Sequence, residues 1–130
     1  MKQMILALGL VAVVTPALGA STNGMQFAGQ SSDPRVTGCG VTIETGPFAA
    51  IVPFIETATP LAGTYRLDVT KISQSGTSRS IQANVFSGSD LGDATVMVDW
   101  PAELTVRLTI MDESGASLCD ALAKVGLPQV

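Results

Sequence analysis

The sequence predicts an all-β fold, a seven-stranded antiparallel sandwich of the immunoglobulin type. Short segments alternate apolar and polar residues, and turn-forming breaks separate them roughly every 8 to 14 residues. No segment shows the spacing of an amphipathic helix. Cys39 and Cys119 fall in the first and last predicted strands. Because the terminal strands of such sandwiches can lie side by side, a bridge between these cysteines would join the chain ends.

An export signal precedes the predicted domain. A basic start, an apolar run at residues 4–14, Pro16 and the small residues that follow predict a signal peptide over residues 1–20. Cleavage is expected after Gly19 or, preferably, after Ala20. The apolar run is too short to cross a bilayer as a stable helix. An uncleaved anchor helix is the alternative, although no charged flank follows the run. The mature protein is therefore expected in the periplasm.

Three regions follow the signal. Residues 21–37 are rich in Ser, Gly and Thr with little apolar periodicity, which predicts a flexible leader. Residues 38–126 form the predicted immunoglobulin-like domain, and residues 127–130 form a tail. About 110 mature residues are enough for one domain with one core.

The first two predicted strands flank a turn at residues 46–47. Residues 39–44 alternate apolar and polar side chains, as a half-buried strand does. Residues 48–56 are almost continuously apolar and contain Pro53. Since proline cannot donate to the ladder, this segment is expected to be an edge strand or to carry a bulge.

A hairpin is predicted next, with strands at residues 64–72 and 79–86 around a polar loop at residues 73–78. The apolar face of the first strand is expected to carry Tyr65, Leu67 and Val69, and that of the second Ile81, Ala83 and Val85. Three more strands are predicted at residues 94–100, 104–110 and 116–125. Trp100 is expected to plug the core at a strand end.

Charge and cysteine content restrict the partners and the compartment. The net charge is −4, or about −5 without the signal peptide, which argues against nucleic acid and anionic membranes as partners. Two cysteines in an exported chain predict a disulfide between Cys39 and Cys119. Free thiols and a redox-active pair are the alternatives, but the chain has no Cys-x-x-Cys turn.

The sequence shows no catalytic group. The chain has no histidine, which excludes histidine bases, histidine-containing triads and most zinc sites. The acidic pairs Asp90 with Asp93 and Asp112 with Glu113 fall in predicted turns, where local hydrogen bonding favours such residues. We therefore expect neither an enzyme nor a bound cofactor or metal.

Residues 62–86, AGTYRLDVTKISQSGTSRSIQANVF, resemble the central hairpin of the curli assembly inhibitor family, which comprises CsgH-like proteins and the related CsgC. The resemblance continues through residues 104–112 and 117–119. It implies an immunoglobulin-like sandwich in the periplasm that keeps curli subunits from forming amyloid before secretion. The implied partner is the curli major subunit, and a monomer is expected. CsgC carries a Cys-x-Cys pair where this chain has Gly63 and Tyr65, so redox chemistry does not transfer.

The polar side of the predicted hairpin is the candidate binding surface. Its expected members are Arg66, Asp68, Thr70, Lys71, Arg79, Gln82 and Asn84. A domain that offers a strand surface without propagating it could block fibril growth. The alternative is that these are ordinary solvated residues. Two other functions stay open: a generic exported β-sandwich module that binds an envelope protein or a carbohydrate, and a fibre subunit, although the sequence lacks the repeats that a fibre subunit needs.

Overall fold

The computed structural model describes residues 24–126, and within them it contains nine β-strands and no helix. The predicted signal peptide (1–20) and tail (127–130) lie outside the described residues. The strands are β1 (Gly24–Ala28), β2 (Gln30–Ser31), β3 (Val36–Thr45), β4 (Phe48–Thr57), β5 (Leu61–Ser73), β6 (Gly76–Gly88), β7 (Val96–Asp99), β8 (Glu103–Asp112) and β9 (Ser117–Val125).

The strands form two antiparallel sheets that pack as an immunoglobulin-like sandwich, as the sequence predicted. One sheet has the order β1-β3-β4-β7, and the other has the order β2-β9-β8-β5-β6. Alternate side chains of both sheets fill the interior between them. The most deeply buried are Val41, Ile43, Ile51, Leu67, Val69, Leu104, Val106, Leu108, Ile110 and Leu118. The seven predicted strands correspond to β3 to β9.

The prediction of a flexible leader is wrong for its described part, because residues 24–31 form β1 and β2. β1 pairs with β3, and β2 pairs with β9. The segment is held in the sheets by backbone hydrogen bonds to β3 and β9, which do not depend on its side chains. Strands can therefore form here although the sequence is polar and not periodic. Phe27 also packs half-buried against the core. The N-terminal segment therefore covers part of one edge of each sheet.

The chain passes from one sheet to the other at Gly29. Its N–H donates to the carbonyl oxygen of Cys39 at 2.7 Å. A Cβ at this position would lie 2.9 Å from Cys119 Sγ and 2.8 Å from the Cβ of Ala121. Such contacts are too close for a side chain, so glycine is required where the segment crosses the disulfide.

The predicted disulfide is present. Cys39 of β3 and Cys119 of β9 are joined by an S–S bond of 1.97 Å with their Cα atoms 6.5 Å apart. The two strands belong to different sheets. The bridge therefore crosses the core between facing sheets, and the expectation of side-by-side terminal strands is wrong.

The edge-strand prediction for the Pro53 segment is correct for half of β4. β7 pairs with β4 only from Phe48 to Ile51, whereas β3 pairs along nearly all of β4. Pro53 lies outside the part of β4 that pairs with β7. Its lack of an N–H therefore removes no hydrogen bond between β4 and β7. Trp100 follows β7 and packs half-buried against the core, as expected.

Candidate functional site

The β5–β6 hairpin forms one side of the five-stranded sheet. Its ladder runs without a register shift from Leu61 opposite Gly88 to Ser73 opposite Gly76. The loop is only Gln74–Ser75, shorter than the loop predicted over residues 73–78. β6 is 13 residues long, and among the described strands it pairs only with β5. Within residues 24–126 its other side is therefore a free edge.

The seven predicted site residues do not share a face. Arg66, Asp68, Thr70 and Arg79 lie on the outer face of the sheet, which is the side away from the other sheet. Lys71, Gln82 and Asn84 lie on the opposite, core-facing side. The reason is the two-residue period of a strand, which sends the neighbours Thr70 and Lys71 to opposite faces.

The predicted apolar residues of β6 share one face, as expected, but that face points away from the core. Ile81 and Val85 project from the outer face with 48% and 72% of their surface exposed. Ala83 is exposed beside them. The even-numbered residues of β6 face inward instead, and among them Phe86 is buried. Because β6 is the edge strand, only this end of it reaches the apolar core.

An ion-pair cluster occupies the outer face. Arg79 binds Asp68 through two hydrogen bonds, Nε to Oδ1 at 3.0 Å and Nη2 to Oδ2 at 2.6 Å. The Nη2 atom of Arg66 lies 3.9 Å from the same Oδ2. The hydrogen bond from Arg79 is the main cause that lowers the pKa of Asp68, and it raises the pKa of Arg79. On β8, Arg107 pairs with Asp120 of β9 at 3.6 Å. Three guanidinium groups thus share this face of an acidic protein.

Lys71 ties the two sheets together. Its side chain is only 8% exposed, and its Nζ atom donates to Ser73 Oγ at 3.1 Å and to Ser75 Oγ at 3.3 Å. The same Nζ atom lies 3.3 Å from Asp99 Oδ2 at the end of β7. These contacts hold the hairpin loop against the other sheet, so the geometry gives Lys71 a structural role.

Gln82 and Asn84 lie side by side on the core-facing side of β6. The Oε1 atom of Gln82 is buried and has no hydrogen-bond partner within the part of the chain that the structure describes. Asn84 uses its Oδ1 atom to accept the N–H of Val85 at 2.8 Å. Both residues are among the predicted site residues, but they lie on the core-facing side of the sheet rather than on the predicted polar face.

The direction of the backbone groups of β6 follows from its short loop. The pair that closes a two-residue hairpin loop, here Ser73 and Gly76, is hydrogen-bonded, and every second pair after it is too. Even-numbered residues of β6 therefore bond to β5, and odd-numbered residues direct N–H and C=O to the free edge. The N–H of Val85 agrees, since it is free to bond the Asn84 side chain.

The other edge of the same sheet is partly covered. There the two-residue strand β2 pairs with Cys119 and Asp120 of β9, and the chain reaches it from the four-stranded sheet through Gly29. No described strand pairs with residues 121–125 of β9 on that side. With 13 residues, β6 is therefore the longer open edge of the sheet among the described strands.

Within residues 24–126, no helix is long and apolar enough to cross a membrane. The same residues contain no group of three or more Asp, Glu, His or Cys side chains that could hold a metal ion.

Comparison with known proteins connects this fold with one solved structure. No protein-family model matches the chain, and no curated protein matches it. The solution structure of CsgH from R. palustris superposes with a TM-score of 0.53 and 24% sequence identity. The match covers 64% of this chain and 88% of that one. The two proteins share a fold.

Proposed function

We propose that this protein is a non-enzymatic periplasmic inhibitor, or chaperone, that prevents premature amyloid polymerisation of the curli major subunit. The observation that carries the proposal is the long edge of β6, which has no pairing partner among the described strands, whereas β2 covers part of the shorter opposite edge. The fold shared with CsgH supports it, as does the resemblance of residues 62–86 to the inhibitor family.

The physical reason is the way amyloid grows. A fibril lengthens when a strand pairs with the exposed edge of the last subunit. A folded domain that pairs with that strand through β6 occupies the growing edge. Since its far edge is shorter and partly covered by β2, it offers a poorer edge to the next subunit. Such a protein acts as a cap, and a monomer suffices.

The compartment is supported by the disulfide. Disulfides persist in oxidising compartments such as the bacterial periplasm. The Cys39–Cys119 bond lies in the core, where both cysteines are buried. Cell fractionation with N-terminal sequencing would test the location, with a start at Ser21 expected if the signal peptide is cleaved after Ala20.

The carbohydrate-binding alternative receives little support from the aromatic residues. Sugar sites use clustered exposed aromatic rings; Phe48 is exposed, but the single tyrosine, Tyr65, is buried in the core. The single tryptophan, Trp100, packs against that core.

A thioflavin fluorescence assay on purified curli major subunit tests the function. With about one mature inhibitor per ten subunits, we expect a clear lengthening of the lag phase. An unrelated disulfide-bonded sandwich domain at the same concentration is the control and should leave the lag phase unchanged. An unchanged lag phase with this protein, correctly folded and oxidised, would reject the proposed function.

A further inference from the structure

We propose that β6 binds its client as a sixth strand of the sheet, and that it selects extended segments with amide side chains at alternate positions. This inference rests on the proposed function and specifies the surface and the chemistry that recognise the client. Backbone pairing would supply most of the affinity, and the side chains of β6 would supply the selectivity.

The backbone N–H and C=O groups along the free edge of β6 are available for pairing. The N–H groups of Thr77, Arg79, Ile81 and Ala83 point to the free edge, and β6 has no pairing partner there among the described strands. Folded proteins usually protect such an edge with proline, a bulge, several charges or a covering loop. Residues 76–88 contain no proline, and their ladder has no register shift. Arg79 is their only charged residue.

The core-facing side of β6 determines which side chains an added strand needs. Polar side chains occupy four successive positions there, and none is fully buried: Ser78, Ser80, Gln82 and Asn84. The buried Oε1 atom of Gln82 lacks a donor. If the Gln82 side chain turns toward the free edge, an amide N–H on an added strand provides that donor, because side chains directly across a strand pair come within contact distance. Amides also pair in ladders along stacked strands.

The outer side of β6 favours different residues. Ile81 and Val85 are exposed and apolar there, with Ala83 between them. An added strand would bury part of this apolar surface if its outward residues were small or apolar. The preferred occupant therefore alternates amide side chains with small or apolar ones, and its direction along β6 is free.

A second copy of this chain is the competing occupant, and its charge disfavours it. Each copy carries a net charge of −4, so two copies repel each other as they approach. A client segment of amide and small apolar residues carries no charge and avoids this repulsion. The structure thus favours an uncharged extended segment.

Two variants test the edge in the fibrillation assay. Ala83→Pro removes an N–H that points to the free edge and leaves the bonds to β5 in place. Gln82→Met keeps the length of the side chain and removes its amide. We expect the concentration for half-maximal delay to rise at least tenfold with Ala83→Pro and about fivefold with Gln82→Met. Gln74→Met, in the exposed loop, is the matched control and should inhibit like the wild type.

Hydrogen exchange on the wild-type protein tests the same edge without a substitution, so the test does not depend on whether Ala83→Pro folds. The probe is a synthetic 12-residue peptide that alternates Gln or Asn with Ala or Val. We expect it to slow exchange at the amides of Thr77, Arg79, Ile81 and Ala83. A peptide with Ser in place of every amide residue should protect them less.

The outcomes separate the two proposals. If the wild type does not delay fibrillation, the proposed function fails. If the wild type delays it and both folded variants delay it equally well, or if the peptide protects no β6 amide, only the edge inference fails. Sedimentation of the wild type as a dimer that Ala83→Pro dissociates would identify a second copy as the occupant and overturn the inference.

Discussion

Removal of the disulfide should lower the stability of this domain by a large and calculable amount. The perturbation is the double substitution Cys39→Ala and Cys119→Ala. The bond closes a loop with a sequence separation of 80, for which the chain-entropy model gives about 4.5 kcal/mol at 25 °C. Both cysteines are buried, so the lost sulfur contacts add about 1 kcal/mol. Residual structure in the denatured chain reduces the sum, and we expect a loss of about 3 to 5 kcal/mol.

Urea unfolding followed by circular dichroism measures this loss. A domain of this size has a total stability of about 5 to 15 kcal/mol, so the variant should still fold at room temperature or be close to its limit. The dependence of the free energy of unfolding on urea should become steeper, because the unbridged denatured chain exposes more surface. Wild-type protein treated with a reductant in urea should unfold like the variant. A loss below about 1 kcal/mol with an unchanged urea dependence would refute the reasoning.

Further substitutions test three individual contacts. Gly63→Ala should cost about 2 kcal/mol or more in urea unfolding, because the added methyl would run into a backbone carbonyl of β8, whereas Gly46→Ala meets nothing within 4 Å and should be nearly neutral. Asp68→Asn should cost about 0.5 to 1 kcal/mol at pH 7. Since the pKa of Asp68 is lowered in the fold, this difference is fully present above the usual aspartate pKa of about 4 and should shrink as the pH falls through the lowered folded pKa; a difference that grows on acidification would contradict the assignment. Lys71→Met should change stability by less than about 1 kcal/mol because the exposed Asp99 carboxylate stays solvated, whereas Asp99→Asn leaves a buried ammonium without its carboxylate and should cost more; equal thermal shifts for the two would argue against this.

Alternation along the chain predicted the strands, but it did not decide which face of β6 points inward. The apolar residues Ile81, Ala83 and Val85 have one phase, and Phe86 has the other. In the centre of a sheet the larger apolar set would face the core. At the edge the core extends only to the end of β6, and Phe86 alone reaches it. The position of a strand in its sheet is a tertiary property, so the sequence pattern of β6 is ambiguous.

The division of the predicted site between two faces could have been found from the sequence alone. Thr70 and Lys71 are neighbours and cannot share a face of a regular strand. The same rule places Arg79 on the face opposite to Gln82 and Asn84. Which of these residues faces Asp68 or Arg66 across the hairpin depends on the register, and the register depends on a loop of two residues rather than six.

The strands of the N-terminal segment could not be predicted from propensity. β1 has five residues and β2 only two, too few for a periodic signal. Their order comes from backbone pairing with β3 and β9 and from the fit of Gly29 over Cys119 Sγ. These contacts join residues far apart in the sequence, and no local pattern reports them.

The same N-terminal segment bears on how an amyloid inhibitor could avoid becoming part of the fibre. A domain with two open edges in one sheet could accept a client strand on one side and pass growth on through the other. Here β2 and the crossing at Gly29 cover Cys119 and Asp120 at the far edge, and the disulfide beneath that crossing holds β3 and β9 together. Residues 121–125 of β9 have no partner on that side among the described strands, so the far edge accepts a much shorter strand than β6 does. If β6 binds the client, this difference in length between the two edges favours capping over continued growth.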